Sequence, residues 1–415
     1  MATKILMFGW EFPPHNSGGL GVACKGLSMA LASRTFEIIF VLPKRVDISE
    51  SRLNLVFADI DYNIKIKAID SLIYPYITST EYSTHLSNGY SPIYGGNLME
   101  EVIRYAVKAS GIARHNDFDV IHAHDWLSFP AGIHAKKVSG KPLIVHVHAT
   151  EFDRTGGKGV NQEVYDIEKK GMEEADAVIA VSNFTKDIIV RHYGINPEKI
   201  NVVHNGVDER EFNHNLLPPE NLMRIKEDGT KIVLFVGRIT LQKGPDYFIR
   251  VAKKVLDHNP KVLFIISGSG DMEAQILNDA AYLGISDKVL FTGFLRGDEL
   301  NQIFKLADIY ILPSVSEPFG ITPLEALMNK TPVLVSRQSG SSEVLSHALK
   351  ADFWDIDDMA HKILAVLEYE PLSRCLAENG HSEVKGINWH RSADKCISVY
   401  NKVLDSFNNY KEKIA

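Results

Sequence analysis

Residues 309–326 read IYILPSVSEPFGITPLEA and contain three kinds of local pattern in order. The apolar run 309–312 predicts a short buried strand, and a loop punctuated by proline and glycine follows it. Thr322, Pro323 and Glu325 then have the residue types of an N-cap, a first-turn proline and a capping-box glutamate. The stretch is therefore predicted to be a strand, a loop and a helix, which is the repeating unit of an α/β sheet.

The same alternation of short strands and amphipathic helices runs through the whole chain. Near-continuous apolar runs of this length suit parallel strands that are covered on both faces. The predicted strands are 4–8, 37–42, 119–123, 143–147 and 177–181 in the first half, and 231–236, 262–267, 289–292, 309–312 and 333–336 in the second. We therefore expect an α/β protein with two doubly wound domains.

The length of 415 residues also favours two domains, because a single hydrophobic core rarely grows this large. Regular patterning lapses between residues 205 and 229, where paired prolines, several asparagines and an Asp-Gly turn occur. We place the first domain at 1–205 and the second at 206–388. Residues 389–415 predict one amphipathic helix, which needs another surface to pack on.

Composition excludes several classes of protein. A hydrophobic fraction of 45% with 23% charged residues is ordinary for a globular protein and excludes disordered and fibrous ones. The formal charge of −7 and the lack of a Lys/Arg cluster argue against nucleic acid as a partner. The three cysteines are far apart, which predicts neither a disulfide framework nor a cysteine zinc site. No run predicts a signal peptide or a membrane span, so we expect a cytoplasmic location.

Glycines and cations follow two predicted strands at positions suited to an anion. Gly18, Gly19 and Leu20 precede the first helical run, and the free N–H groups at a helix start attract phosphate. Arg238 and Lys243 follow the first strand of the second domain, and this pair of cations suits phosphate oxygens. Each pattern has a simpler alternative, namely an ordinary turn into a helix and two surface cations on a loop.

Polar residues end two strands of the first domain, in the segments HAHDW (122–126) and HVHATE (146–151). Ligands of open α/β sheets bind beyond the carboxyl ends of the strands, so both segments point to one crevice. Alternation places His122 with His124, and His146 with His148, on the same side of each strand. We expect no metal here, because a buried histidine is commonly a hydrogen-bonded core residue.

Two glutamates of the opening stretch are candidate site residues. Glu317 lies in the loop before a helix start, where backbone amides can hold a diphosphate while its carboxylate reaches a sugar hydroxyl. Glu325 has a structural alternative as the capping-box residue of that helix.

These glutamates, eight positions apart in EPFGITPLE, match the Glu-x7-Glu signature of retaining glycosyltransferases with the two-domain GT-B fold. Further motifs follow in the order of that family: GGLG (18–21), HAHDW (122–126), VHNGVD (203–208), GR-x4-K (237–243) and GSGD (268–271). The chain thus resembles the family 4 glycosyltransferases, and its N-terminal half is similar to glycogen and starch synthases. The resemblance implies two Rossmann-like domains that face each other across a cleft, with a C-terminal helix crossing back onto the first.

The resemblance also implies roles for single residues. Arg238 and Lys243 would hold the donor diphosphate, Glu325 the ribose, and Glu317 the hydroxyls of the donor sugar. The implied catalytic residues are Glu317, His148 and Asp125, and the implied donor-binding residues are Gly18, Gly19, Leu20, Arg238, Lys243, Gly320, Ile321, Thr322 and Glu325. Neither a metal nor another cofactor is expected, because cations and helix N-termini neutralise the leaving nucleoside diphosphate.

The expected reaction is transfer of a hexosyl group, first of all glucosyl, from a nucleoside diphosphate sugar to an α-glucan with retained anomeric configuration. Two departures leave donor and acceptor open: Asn16 stands where bacterial glycogen synthases carry the lysine of Lys-x-Gly-Gly, and those enzymes usually lack a glutamate at position 325. The base, uridine or adenosine, would be read by backbone groups at 292–295. A small glycoside, lipid or sugar phosphate acceptor, an epimerase, and a sugar-binding protein without turnover are the alternatives.

One stretch interrupts the strand-and-helix rhythm with tyrosines set among serines, threonines and asparagines. The five tyrosines are Tyr74, Tyr76, Tyr82, Tyr90 and Tyr94. The stretch is either an ordinary loop with half-buried tyrosines or an insertion whose rings stack on an acceptor sugar.

Overall fold

A computed structural model of the chain describes residues 3–13, 18–34, 36–43, 64–68, 98–157, 159–213, 216–218 and 220–414. Asn16 and the tyrosine-rich stretch 74–94 lie outside the described residues, so the predictions made on them stay predictions. No helix in the described part of the chain combines the length and the hydropathy needed to cross a membrane.

The first lobe is built on a parallel sheet, with seven strands among its described residues. The strands are β1 (Lys4–Phe8), β2 (Glu37–Leu42), β3 (Ile64–Ala68), β4 (Val120–His124), β5 (Leu143–Val147), β6 (Ala177–Ala180) and β7 (Ile200–Val202). Their order across the sheet is β3-β2-β1-β4-β5-β6-β7. The helices are α1 (Gly19–Ala32), α2 (Leu98–Arg114), α3 (Phe129–Ser139), α4 (Glu151–Thr155), α5 (Gln162–Glu174) and α6 (Asn183–Ile188).

The second lobe repeats the arrangement on a six-stranded parallel sheet ordered β10-β9-β8-β11-β12-β13. Its strands are β8 (Lys231–Val236), β9 (Val262–Ser267), β10 (Val289–Gly293), β11 (Ile309–Leu312), β12 (Val333–Ser336) and β13 (Leu349–Ala351). Its helices are α7 (Glu220–Glu227), α8 (Pro245–His258), α9 (Glu273–Tyr282), α10 (Gly297–Leu306), α11 (Thr322–Met328), α12 (Ser341–Val344), α13 (Ile356–Glu368) and α14 (Glu370–Val384). The last helix is α15 (Trp389–Ile414).

All ten predicted strands are present, with ends that differ by no more than one residue. The prediction missed β3, β7 and β13, which all lie at an edge of their sheet. Edge strands need less apolar surface, and polar residues interrupt each of these three runs, IKIKA, INV and LKA. Each lobe is nevertheless the doubly wound α/β unit that the sequence predicts.

The predicted capping box at the start of α11 is wrong. The helix begins at Thr322, and Ile321 holds the N-cap position without any side-chain cap. The Thr322 hydroxyl instead shares a hydrogen bond of 2.8 Å with the hydroxyl of Tyr310 in β11. The Thr322 side chain, which the local pattern assigned to the cap, therefore binds a residue that is distant from the helix start. Glu325 consequently has no capping role.

The C-terminal helix crosses back onto the first lobe, as the resemblance implies. Ala393, Cys396 and Tyr400 of α15 are fully buried in the core of that lobe. The chain also passes from the first lobe to the second beside this return crossing, where Val207 forms a bridge with Asn388. The two crossings form the covalent connection between the lobes.

Candidate active site

The predicted site residues lie at the carboxyl ends of central strands in both sheets. Asp125 and His148 follow β4 and β5 in the first lobe, and Arg238 and Glu317 follow β8 and β11 in the second. These strands neighbour one another within each sheet, so the side chains collect at one edge of each lobe.

Glu317 and Lys243 form an ion pair in the second lobe. Both side chains are largely buried, and the Ser314 hydroxyl donates a further hydrogen bond of 3.2 Å to the same carboxylate. Gly244 follows Lys243 with a φ of 67°, and a Cβ there would lie 2.2 Å from the Pro313 carbonyl oxygen. Only glycine permits this close turn, which brings the lysine to the glutamate.

Arg238 lies near the same cleft. Its guanidinium donates to the Gln242 side chain at 3.3 Å, and the residue as a whole is exposed. Its positive charge also lowers the pKa of Glu11 in the first lobe. Arg238 and Lys243 thus both lie in the segment between β8 and α8.

Glu11 is a buried carboxylate that sequence reasoning missed. It is 4% exposed and accepts a hydrogen bond of 3.1 Å from the amide of Gly21 at the start of α1. Burial raises the pKa of Glu11 to about 7, and the Gly21 amide and the Arg238 charge partly oppose this rise. Its position just beyond β1, at the carboxyl edge of the sheet, is the sequence signal that could have identified Glu11 as a candidate site residue.

The glycine-rich start of α1 therefore already holds a carboxylate. Glu11 contacts the amides of Gly18 and Gly21, which flank Gly19 and Leu20. A Cβ at Gly18 would lie 2.9 Å from the Glu11 carboxylate, so glycine is needed for this approach. The amides at this helix start donate hydrogen bonds to a carboxyl group, and the phosphate site expected there stays a prediction.

Asp125 holds the segment that carries His148. Its Oδ1 accepts the backbone N–H of His148 at 2.6 Å and that of Ala149 at 3.3 Å. Asp125 is 1% exposed and adopts a φ of 59°, a left-handed conformation that is strained for a residue with a Cβ. Such strain persists where the surrounding structure requires it. At Asp125 the requirement comes from the two backbone amides that its carboxylate binds.

His148 belongs to a stack of four histidines, two from β4 and two from the end of β5. His124 and His148 share a hydrogen bond of 2.9 Å between their rings, and His122 shares one of 2.7 Å with the Tyr400 hydroxyl of α15. Burial lowers the pKa of all four, that of His122 to about 3, so the rings are neutral at pH 7. The predicted same-side arrangement on each strand is confirmed.

Two groups of side chains in the described part of the chain could hold a metal ion, and one of them is Cys24, His124 and His148. Ring nitrogens of His122, His124 and His146 lie within 4.8 Å of one another. The pairs His122–His124 and His146–His148 are, however, stacked with ring centroids 4.2 Å apart. A ring nitrogen binds metal in the plane of its own ring, so stacked rings direct their lone pairs into separate planes. This stacking argues against one ion shared by the histidines, and the expectation of no metal stays a prediction.

The loop from Gly320 to Thr322 connects Glu317 with α11. Gly320 has a φ of 88°, and a Cβ there would lie 3.1 Å from the Glu317 side chain. Ile321 packs against buried residues of both lobes.

Burial raises the pKa of Glu325, one turn into α11, to about 7, with a further contribution from the charge of Glu211. Glu325 can therefore accept or donate a hydrogen bond near pH 7.

Sequence comparisons identify the family to which this site belongs. Residues 17–211 match Glycosyltransferase Family 4, and residues 223–383 match Glycosyl transferases group 1. An uncharacterised glycosyltransferase of Methanocaldococcus jannaschii is 31% identical over 97% of this chain and 99% of its own length. The chain is a group 1 glycosyltransferase of family 4.

This glycosyltransferase is also similar to proteins with named activities. A glycogen synthase of Mycobacterium tuberculosis is 27% identical over 96% of the chain and 94% of its own length. Sucrose-phosphate synthase of Thermosynechococcus elongatus has 19% identity and a TM-score of 0.77, covering 97% of this chain and 100% of that one. At this identity the structural likeness shows the fold alone, and the fold is GT-B.

Proposed function

We propose that this glycosyltransferase moves a hexosyl group, in the first instance glucosyl, from a nucleoside diphosphate sugar to a hydroxyl of an α-glucan with retained configuration. The observation that carries this proposal is the buried pair of Lys243 and Glu317. In this proposal Lys243 is the cation for the diphosphate, and Glu317, the first glutamate of the Glu-x7-Glu segment, is the carboxylate for the sugar hydroxyls.

The chemistry follows from the charges at the site. As the bond between the anomeric carbon and the phosphate oxygen breaks, negative charge develops on the leaving diphosphate. Arg238, Lys243 and the amides of Gly19 and Leu20 are the groups that we assign to this charge, and no metal is then required. Retention requires the acceptor oxygen to end on the face that the diphosphate leaves. The proton of the acceptor hydroxyl passes to the departing phosphate oxygen.

The two lobes divide the work in this proposal. Residues 1–205 carry His148 and Asp125 and bind the acceptor, while residues 206–388 bind the donor and residues 389–415 join the first lobe. We assign Glu325 to the ribose hydroxyls and the backbone at 292–295 to the base. Reaction then needs both lobes to close on the substrates.

The test is a donor panel with the purified full chain. UDP-, ADP- and GDP-hexoses are supplied with and without glycogen, and released nucleoside diphosphate is measured. We expect release to depend on one glucose donor and on the glucan, with product that an α-glucosidase removes. Release that is equal without an acceptor, or a β-linked product, would contradict the proposal.

Glu325 favours a second candidate within the same family. Bacterial glycogen synthases usually lack this glutamate, so a small glycoside, a lipid or a sugar phosphate is the alternative acceptor. The same panel with these acceptors distinguishes the two, because only one acceptor class will stimulate release. Family membership favours transfer over epimerisation and over sugar binding without turnover.

A further inference from the structure

The two residues on either side of Glu317 contact the opposite lobe. The Ser316 hydroxyl donates a hydrogen bond of 2.6 Å to Oδ1 of Asp153 in α4. The Pro318 carbonyl accepts one of 2.5 Å from the Ser182 hydroxyl, at the N-cap of α6. The candidate donor-sugar carboxylate is thus held between two hydrogen bonds that cross from the second lobe to the first.

Asp153 extends the first of these contacts to His148. Its other oxygen, Oδ2, accepts the backbone N–H and the hydroxyl of Thr150, both at 2.8 Å, in the capping box of α4. Thr150 lies only two residues after His148. His148 and Glu317 are therefore connected by the backbone to Thr150 and Ser316, and hydrogen bonds through Asp153 join these two residues.

The hydrogen bond between Ser316 and Asp153 is buried, so neither group can replace its partner with water. Asp153 is 0% exposed and Ser316 is 7% exposed. Burial raises the pKa of Asp153, and the hydrogen bonds from Ser316 and Thr150 oppose this rise. A buried carboxylate that loses one of its donors is costly, so the Ser316 hydroxyl is strongly held in this position.

We propose that Asp153 and Ser316 position Glu317 relative to His148 during hexosyl transfer. The proposal rests on the function proposed above for Glu317 and His148. Asp153 and Ser316 are positioning residues in this proposal, since they act through these neighbours. The reacting groups lie on two lobes, and a displacement of about 1 Å between such groups can lower a rate about 100-fold.

The first test is the variant Ser316→Ala, which removes the hydroxyl and leaves the cap of α4 intact. We expect kcat to fall about 10- to 100-fold. The donor KM should change less than about threefold, because Arg238 and Lys243 are unaltered. The matched control is Ser342→Ala, whose hydroxyl donates to two carbonyls of the second lobe, at Arg337 and Ser339. A kcat within twofold of wild type, or a donor KM that rises as much as kcat falls, would overturn the proposal.

A double-mutant cycle separates the interlobe contact from the capping role of Asp153. If the two residues act as a pair, Ser316→Ala should add little further loss of kcat to Asp153→Ala. Losses that multiply would mean that the residues act independently and would contradict the proposal. If Asp153→Ala does not fold, the rates and the hydrogen exchange of Ser316→Ala still test the proposal.

Hydrogen exchange tests the contact without any substrate. The amides of α4 lie in the first lobe and Ser316 lies in the second, so faster exchange in α4 of Ser316→Ala reports a lost interlobe bond. We expect this increase in Ser316→Ala and not in Ser342→Ala. Unchanged exchange in α4 would refute the contact even if the wild type transfers glucose. An increase in a protein that accepts no hexose donor would instead refute the proposed function and retain the contact.

Discussion

At the scale of single residues, the site depends on a few charges placed in buried surroundings. Lys243 and Glu317 balance each other, and Glu11 lies against the start of α1 with Arg238 nearby. A buried charge is tolerated only with such partners. Each of these side chains can therefore be tested by removing its charge while keeping its shape.

Loss of either member of the Lys243–Glu317 pair should abolish most transfer. We expect Lys243→Met and Glu317→Gln each to lower kcat/KM at least about 100-fold, because each removes charge stabilisation at the donor. Circular dichroism should show that both variants remain folded. Lys253→Met is the control, since Lys253 pairs with Asp257 on an exposed helix face. Full activity in a folded Lys243 or Glu317 variant would invalidate the site assignment.

Glu11 predicts how stability depends on pH. Its pKa is about 7 in the folded protein against 4.5 for an ordinary glutamate, so the folded state keeps a proton that the unfolded chain releases. Stability attributable to this residue should fall as the pH rises from 4.5 to 7, by on the order of 3 kcal/mol.

The measurement is urea unfolding of wild type and Glu11→Gln at pH 5 and pH 8. The glutamine variant lacks the titrating carboxyl, so it should lose less stability between the two values than wild type does. Glu378→Gln, on an exposed face of α14, should behave like wild type. Equal pH dependence of Glu11→Gln and wild type would count against the raised pKa.

At the scale of elements, local pattern predicts what buried strands need and misses what tertiary contacts decide. The ten predicted strands are mainly apolar runs, whereas β3, β7 and β13 are edge strands that polar residues interrupt. The start of α11 shows the same limit, because the Tyr310 hydroxyl takes the Thr322 side chain from its predicted cap. Burial of apolar surface determines the central strands, and a side chain distant in sequence determines how α11 begins.

Packing between α1 and α15 provides a prediction at this scale. A Cβ at Gly26 of α1 would lie 2.2 Å from the Trp389 ring, whereas a Cβ at Gly111 of α2 would meet nothing within 4 Å. We expect Gly26→Ala to destabilise the protein by about 1–3 kcal/mol through overpacking. Gly111→Ala should stabilise it by about 0.5–1 kcal/mol, because alanine favours a helix interior. Urea unfolding of both variants measures the difference, and equal stabilities would contradict the packing of α15 on α1.

At the scale of the whole molecule, the relation between the lobes rests on two adjacent chain crossings and on contacts across the cleft. Gly206 lies against the return crossing, and the Val207 amide donates to the Ile387 carbonyl at 3.1 Å. Glu343 of the second lobe accepts the amides of Asn183 and Phe184 in the first. These contacts place two separately folded sheets in one arrangement.

The crossing predicts a specific sensitivity at Gly206. A Cβ there would lie 2.3 Å from the backbone carbon of Asn388, so alanine requires one crossing to move. We expect Gly206→Ala to destabilise the protein by about 1–3 kcal/mol and to lower kcat more than it changes nucleotide affinity. Calorimetric titration with nucleoside diphosphate and steady-state rates measure the two effects. A variant with wild-type kcat and stability would show that the crossing tolerates a Cβ.

Local patterns in the chain suffice to predict two doubly wound sheets, their central strands, the C-terminal helix and the motif residues Arg238, Lys243, Glu317 and Glu325. These features depend on apolar periodicity and on short spacings, which are properties of neighbouring residues. The tertiary structure alone decides that Glu11 meets the start of α1, that four histidines stack, and that Ser316 binds Asp153 across 163 positions of sequence. Such pairings arise when packing of the two sheets brings distant side chains together, and no local spacing encodes them.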